Sequence, residues 1–152
     1  MRGSRRLPAG AVSVNAVYRG QLLPVAVRVA GDPTRSGCLG VRHVFAGIGA
    51  ADYSALREWY ERFMGRPADL VPNDIEVCWQ LTDSAWIYVK EDAERAGNAF
   101  ITILVDDLDA RLAELERNGI ASGPVDTNAD GVRTAVVTDP EGNTIQLGET
   151  PG

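Results

Sequence analysis

Few side chains in this sequence have the type and spacing that chemistry requires. The 152 residues include one histidine, His43, and two cysteines, Cys38 and Cys78. The cysteines show no disulfide or metal-ligand spacing, so we interpret them as reduced thiols of a cytoplasmic protein. Nucleophilic catalysis pairs a serine or cysteine with a neighbouring base, and no motif here supplies that pair. The residues alone therefore favour binding over catalysis.

Three aspartates form a cluster of carboxylates, at Asp106, Asp107 and Asp109. They stand where a helix is predicted to begin, and a carboxylate there accepts hydrogen bonds from the free N–H groups of the first turn. We therefore interpret them as capping residues rather than acid–base catalysts. Gly47 and Gly49 do not form a phosphate loop, since the strand, glycine and helix pattern is incomplete.

These residues are positioned by a pattern that the chain contains twice. Phe45 opens an apolar run that ends at Asp52, and 55 positions later Phe100 opens a run that ends at Asp107. In both copies the aspartate leads into a helix-like stretch. A repeat of this length is typical of two supersecondary units that bury their apolar faces together. We expect a cleft between them, and the function in that cleft.

Each repeat predicts one helix. Over Tyr53 to Met64 the apolar residues recur at helical spacing, and Gly65 and Pro67 follow as stop signals. The apolar positions of this stripe are Leu56, Trp59, Tyr60 and Phe63. The second helix is predicted over Leu108 to Asn118, ending at Gly119. Asp52 and Asp107 are the expected N-caps.

Four strands are predicted around each helix. In the first unit they span 41–50, 68–71, 75–81 and 85–89, and in the second 99–105, 124–127, 132–138 and 144–147. The order predicts an α+β domain over residues 41–150, built from two paired βαβββ modules at 41–90 and 98–149. We expect a curved eight-stranded sheet that encloses a cleft, with the helices outside.

The first 40 residues differ from this domain in charge. They hold six arginines and one acidic residue, whereas residues 41–152 hold nine basic and 20 acidic groups. Ala11 to Val29 could form one or two strands, interrupted at Gly20 and Pro24. Three accounts of this basic extension stay open: added edge strands, a dimerisation arm, or a disordered extension.

Composition also narrows the class of partner. The acidic body, with a net charge of −11, would repel phosphates, so we expect no nucleic acid partner. No stretch of 18 apolar residues occurs, so no membrane span is predicted.

Three ordered motifs carry a family resemblance. They are Glu58-Trp-Tyr-Glu-Arg-Phe-Met-Gly65, Val105-Asp-Asp-Leu-Asp-Ala110 followed by Gly119-Ile120, and Thr138-Asp-Pro-Glu-Gly-Asn-Thr-Ile-Gln-Leu147. With them, Val41 to Glu149 resembles the vicinal oxygen chelate superfamily, which includes glyoxalase I, extradiol dioxygenases, fosfomycin resistance enzymes and bleomycin-binding proteins. The resemblance implies the two-module fold and a homodimer whose clefts the partner completes. It does not imply one reaction, because the superfamily spans many chemistries.

The resemblance also implies where a divalent metal would bind. The ligand positions on the first strands fall at Phe45 and Phe100, whose rings have no lone pair to donate. Those on the last strands fall at Gln146 and approximately at Tyr88, and His43 lies two residues before Phe45. We therefore expect no metal cofactor. If a divalent metal bound, its ligands would be His43, Tyr88 and Gln146, without a carboxylate among them.

An aromatic cleft remains the leading hypothesis. We predict that it binds a small aromatic or hydrophobic molecule, as sequestration or resistance proteins do. The candidate ligand-binding residues are Phe45, Trp79, Trp86, Tyr88, Phe100, Gln146 and His43. The enzymatic alternative is a metal-dependent lyase or dioxygenase. A third alternative is a structural or regulatory domain that binds a protein partner through an exposed apolar patch.

Overall fold

The computed structural model describes residues 11–18, 21–28 and 43–152. Its first elements are two antiparallel strands, β1 (Ala11–Tyr18) and β2 (Gln21–Arg28), which form a two-stranded sheet. Pro24 lies within β2, opposite Asn15, so the predicted interruption at this proline is wrong. The other residues of the basic extension, Cys38 among them, lie outside the described ranges, and the three accounts of its role remain open.

Module one has the predicted βαβββ order. Its elements are β3 (Val44–Ala50), α1 (Tyr53–Met64), β4 (Leu70–Asn73), β5 (Glu76–Gln80) and β6 (Ala85–Glu91). The strands form a sheet in the order β3-β6-β5-β4, in which β3 and β6 are parallel and the other pairs antiparallel.

Module two repeats this topology. It consists of β7 (Phe100–Leu104), α2 (Leu108–Arg117), β8 (Asp126–Thr127), β9 (Arg133–Thr138) and β10 (Thr144–Glu149), with strand order β7-β10-β9-β8. The parallel pair is again formed by the first and last strands. The two βαβββ modules are thereby confirmed, and their eight strands are hydrogen-bonded as two four-stranded sheets.

Both helices begin at the predicted caps and α1 ends at the predicted Gly65, whereas α2 ends at Arg117, one residue before the predicted Asn118. The Asp52 side chain accepts a hydrogen bond from the Ala55 N–H at 3.1 Å, and the Asp107 side chain accepts one from the Ala110 N–H at 2.8 Å. Helix α1 stops at Gly65, which adopts the left-handed conformation at φ 68°. The capping role of Asp107 is confirmed.

One hydrophobic core joins the two modules. The whole predicted stripe of α1 is buried in it, together with Leu108 and Leu115 of α2. The inward-facing residues of both sheets complete this core, namely Ile48, Val77, Trp79, Ile87, Val89, Ala135, Val137, Ile145 and Leu147. Arg111 of α2 also reaches across the helix pair, donating to the Phe63 carbonyl at the end of α1 with its guanidinium carbon 5.0 Å from the Phe63 ring centroid.

The turn Asp139-Pro-Glu-Gly-Asn143, between β9 and β10, connects module two to module one. We call it the DPEGN clasp. The buried Asp139 carboxylate accepts hydrogen bonds from the Tyr60 hydroxyl of α1 at 3.0 Å and from the Asn143 amide at 2.7 Å. Glu141 accepts from the backbone N–H groups of Ala51 and Asp52 at 2.9 and 2.7 Å, next to the start of α1. The family-like motif is therefore a structural joint.

Candidate functional site

Strand alternation gives each sheet one face toward the core and one face away from it. In module one, Ile87 and Val89 point into the core, so Trp86, Tyr88 and Lys90 lie on the opposite face of β6. Their partners on β3 are, in the same order, Phe45, Gly47 and Gly49. We call these six residues the module-one face.

The first row of the module-one face is an aromatic pair. The Phe45 and Trp86 rings stack with centroids 5.7 Å apart and planes 15° from parallel. Phe45 remains 51% exposed on β3, which is the edge strand of the module-one sheet and pairs with β6. An exposed, preorganised aromatic surface of this kind suits a flat apolar molecule.

The second row is shaped by a glycine. A β-carbon at Gly47 would lie 2.4 Å from the Tyr88 hydroxyl oxygen, which shows that the Tyr88 ring lies across β3 at this point. A β-carbon at Gly49 would lie 2.9 Å from the Asp92 carbonyl oxygen and from the Arg95 β-carbon, so the chain after β6 packs on this glycine. Glycine weakens a strand interior, and here it permits two close approaches.

A cavity of about 480 Å³ opens beside these glycines. Tyr88 and Lys90 line it from the sheet, and Glu94, Arg95 and Asn98 line it from the segment that links the modules. Arg95 is held by Asp92, with Nη1 3.0 Å from a carboxylate oxygen, whereas Lys90 forms no ion pair with any residue in the described ranges. The cavity therefore offers a phenol hydroxyl and an ammonium, from the two rows of the face that follow the aromatic pair.

Module two carries the equivalent residues on a second face. Thr144, Gln146 and Gly148 of β10 pair with Phe100, Thr102 and Leu104 of β7, and these six residues are the module-two face. Phe100 is the module-two equivalent of Phe45. Phe45 pairs with Trp86 and Phe100 pairs with Thr144, and the residues two positions after these partners are Tyr88 and Gln146. Gln146 is therefore the equivalent of Tyr88. Phe100 is 37% exposed and Gln146 only 5%. Gln146 lines a separate cavity of about 400 Å³.

The predicted site residues are therefore divided between the module-one face and the module-two face. Phe45, Trp86 and Tyr88 come together on the module-one face, and His43 is exposed immediately before β3. Phe100 and Gln146 lie on the module-two face. The two cavities above, one at Tyr88 and one at Gln146, have no lining residue in common.

Trp79 requires a correction, because it does not lie with the other aromatic residues. Its side chain is 0% exposed and belongs to the core, on the side of β5 opposite Gln80 and Cys78. Its indole N–H donates to the Arg66 carbonyl at 3.3 Å, so its one polar group is also engaged by the protein. We remove Trp79 from the candidate ligand-binding residues.

The donor atoms on the two faces do not fit a divalent metal. Phe45 and Phe100 offer none, and the Gln146 side-chain oxygen already accepts the Thr102 hydroxyl at 3.3 Å. Within the described ranges, no group of three or more His, Cys, Asp or Glu residues is arranged to hold a metal ion. Hard cations require several oxygen ligands, usually with carboxylates among them. The expectation of no metal cofactor remains a prediction from this donor chemistry.

Cys78 lies beside the module-one face, and its surroundings suppress its reactivity. It pairs with Tyr88 across the sheet and is a buried free cysteine. Burial first, and the nearby Glu76 carboxylate second, raise the pKa of the Cys78 thiol. A protonated thiol is a poor nucleophile, so the structure gives this cysteine a packing role.

Comparisons with known proteins agree with this geometry. The family model described as Glyoxalase/Bleomycin resistance protein/Dioxygenase superfamily matches residues 40–147. The chain belongs to this superfamily. Among solved structures, a glyoxalase/bleomycin resistance protein from Catenulispora acidiphila is 36% identical, with a TM-score of 0.68 over 72% of this chain and 98% of that one.

Two further solved structures share the fold at lower identity. A bleomycin-binding protein complexed with bleomycin and a bleomycin resistance determinant encoded on the transposon Tn5 are each 16% identical, with TM-scores of 0.60 and 0.61. Each comparison covers 72% of this chain and 98% of the other. No curated protein matches the chain. Neither described helix is long and apolar enough to cross a membrane.

Several residues of the site escaped sequence reasoning. Gly49, Lys90 and the segment that links the modules line the cavity on the module-one face, and Thr102 orients Gln146. The sequence did contain a signal for Gly49, since two glycines at alternate positions of a strand indicate a close approach of other atoms. Nothing in the sequence indicated Lys90 or Thr102, because their positions depend on strand register.

Proposed function

We propose that the protein binds a small aromatic or hydrophobic molecule on the module-one face and thereby sequesters it. The observation that supports this proposal best is the stacked pair of Phe45 and Trp86, in which Phe45 stays 51% exposed. The next row of the same face, Gly47 and Tyr88, lines a cavity of about 480 Å³. Burying such rings against a flat molecule is favourable, and each good ring contact adds about 0.5–1.5 kcal/mol beyond the area term.

Other observations are consistent with binding rather than catalysis. The described residues of the module-one face include no nucleophile with an adjacent base, and the Cys78 thiol is buried with a raised pKa. A superfamily relative of the same fold was solved with bleomycin bound, which gives a precedent for small-molecule binding in this fold.

Calorimetric titration with 2-naphthol tests the proposal. Wild-type protein should bind it, and Phe45→Leu should weaken binding about 2–10-fold, the equivalent of one lost ring contact. The matched control is Phe100→Leu, the same substitution at the equivalent position of module two, which should leave the affinity unchanged. Equal loss in both variants, or no binding by wild type, would overturn the proposal.

We further propose that the protein acts as a cytoplasmic homodimer. The family resemblance is the basis of this proposal. Sedimentation equilibrium on the full chain measures the mass of the assembly, and a mass of one chain at all concentrations would refute the homodimer.

A further inference from the structure

Two arginines near the ends of the helices lack an acidic partner. Within residues 43–152, the arginines that form an ion pair with an Asp or Glu side chain are Arg57, Arg66, Arg95, Arg111 and Arg133. Arg62, Arg117 and Lys90 form no ion pair with a described residue. Acidic groups outnumber basic ones by 20 to nine in residues 41–152, so carboxylates are abundant and these cations are left unpaired in spite of that.

The two unpaired arginines line the same cavity. It has a volume of about 680 Å³ and lies where α1 and α2 end, and we call it the helix-end cavity. Asn118, which also lines it, donates from its side-chain amide to the Arg62 carbonyl at 2.9 Å and so joins the two helix ends. Arg62 and Arg117 are both exposed, and the fold therefore places two accessible guanidinium groups from different helices beside one cavity.

The other charged residues of the helix-end cavity largely cancel. Arg66 and Glu61 line it, but each forms an ion pair with a residue outside the lining. Glu58 is the lining carboxylate that has no ion pair with a described residue. Two unpaired arginines against one unpaired carboxylate leave the cavity with an excess of positive charge on an otherwise acidic protein.

The helix ends themselves oppose an anion less than usual. The last carbonyl groups of a helix carry partial negative charge, which repels anions. At the end of α1 the Arg62 carbonyl accepts from the Gly65 N–H and from Asn118, and the Phe63 carbonyl accepts from the Arg111 guanidinium. Donors therefore cover the carbonyl oxygens beside the unpaired arginines, and the positive charge of the guanidinium groups prevails there.

We propose that the helix-end cavity is a binding site for a small phosphate monoester, whose phosphoryl dianion lies between Arg62 and Arg117. The planar guanidinium group presents a fork of N–H donors that matches phosphoryl oxygens, and two such groups match a charge of about −2. A volume of about 680 Å³ exceeds what a phosphoryl group fills, which leaves room for the organic part. The cavity shares no lining residue with the module-one face.

Phenyl phosphate, inorganic phosphate and benzoate are the probes. They are titrated into the full chain at pH 7.5, where a monoester is mainly dianionic, at an ionic strength held constant with sodium chloride. In ¹⁵N-correlated NMR spectra, phenyl phosphate should shift the Nε–H signals of Arg62 and Arg117 and the side-chain NH₂ signals of Asn118. Benzoate carries one charge and should bind at least about threefold more weakly, and inorganic phosphate should bind more weakly because it lacks the organic part.

Charge-removing variants at exposed positions test the assigned roles. Arg62→Gln and Arg117→Gln should each weaken phenyl phosphate binding by about 3–5-fold, the modest effect expected of an exposed ion pair. Glu58→Gln should instead tighten it, because it removes the unpaired carboxylate of the cavity. Arg133→Gln and Glu116→Gln remove the same charges outside the cavity and should leave the affinity unchanged.

Several outcomes would overturn the proposal. One is a set of shifts no larger than those produced by sodium chloride alone. Another is equal weakening by Arg133→Gln, since attraction by overall charge would then explain the binding. Equal affinity for inorganic phosphate and phenyl phosphate would overturn the assignment to a monoester and identify the free ion as the ligand. The 2-naphthol titration concerns other residues, so failure of either site leaves the test of the other intact.

Discussion

The hydroxyl of Tyr60 is the buried group on which the contact between α1 and module two depends most directly. It is fully buried and donates to the Asp139 carboxylate at 3.0 Å. Burial mainly, with the negative charge of Asp139 second, raises the pKa of Tyr60 well above its ordinary value. Removing the hydroxyl leaves the Asp139 carboxylate with one donor fewer in a site that water does not reach.

We predict that Tyr60→Phe lowers the free energy of unfolding by about 1–3 kcal/mol at neutral pH. Urea denaturation at pH 7 measures this. A matched control is Tyr88→Phe, which removes a hydroxyl that makes no hydrogen bond to any described residue and should change stability far less. Equal effects of the two substitutions would contradict the assigned role of Tyr60.

The raised pKa of Tyr60 predicts a specific alkaline sensitivity. Below the ordinary tyrosine value of 10.0 the folded and unfolded chains both keep the proton, so the contribution is constant. Above it the unfolded chain loses the proton and the folded chain retains it, so stability falls by about 1.4 kcal/mol per pH unit from this group. Between pH 8 and 11 the free energy of unfolding should therefore fall less steeply with pH for Tyr60→Phe than for wild type. Parallel curves of unfolding free energy against pH would refute the raised pKa of Tyr60.

At this scale, the candidate site was only partly predictable. The repeat placed Phe45 and Phe100 at equivalent positions, because a seven-residue spacing to a helix cap can be counted in the sequence. Trp79 was assigned to the wrong side because Val77, Cys78 and Trp79 are all buried, so the strand has no alternation of apolar and polar residues to show its orientation. Strand orientation in such a run is decided by packing.

Among the elements, β3 shows most clearly how a strand is adapted to what lies on it. Both of its glycines on the module-one face sit under other atoms, and neither has positive φ, so alanine is permitted by the backbone. The neighbours differ, however. Gly47 lies beneath the hydroxyl end of the Tyr88 side chain, and Gly49 lies beneath the Asp92 carbonyl, which is backbone.

We predict that Gly49→Ala destabilises the protein by about 1–3 kcal/mol, because a main-chain segment must move. Gly47→Ala should cost less, since the Tyr88 ring can swing away, but it should alter binding at the adjacent cavity. Chemical denaturation of both variants, combined with the 2-naphthol titration, distinguishes the two effects. A larger stability loss for Gly47→Ala would show that the Tyr88 ring is fixed.

The elements also differ in how well the sequence predicts them. Helix α1 begins and ends at the predicted residues, because an apolar stripe, an aspartate cap and a glycine stop all agree. Strand β4 lies two residues later than the predicted strand 68–71, and β8 is two residues shorter than the predicted strand 124–127. Strand β4 lies at a sheet edge with every residue exposed and an irregular register around Pro72, so no burial pattern marks it. The division of the site between two faces could not be predicted, because it follows from how the modules pack.

For the whole molecule, the shared core and the DPEGN clasp predict a single cooperative unit. All three tryptophans, Trp59, Trp79 and Trp86, belong to module one, whereas far-ultraviolet circular dichroism reports both modules. The two signals should follow the same urea transition, because neither module can expose its part of the core alone. Separate midpoints would show that the modules unfold independently.

The DPEGN clasp has a consequence for how such proteins diversify. Its side chains hold α1 and the residue before β7, since Asn143 accepts from the Ala99 N–H at 2.8 Å and Asp139 accepts from the Tyr60 hydroxyl. No hydrogen bond among the described residues joins these side chains to Phe45 or Gln146. A chain assembled in this way can change its binding surfaces freely as long as the joint is kept. Proteins that share the five-residue joint therefore share an assembly rule, and what each one binds must be sought in the outward rows of its sheets.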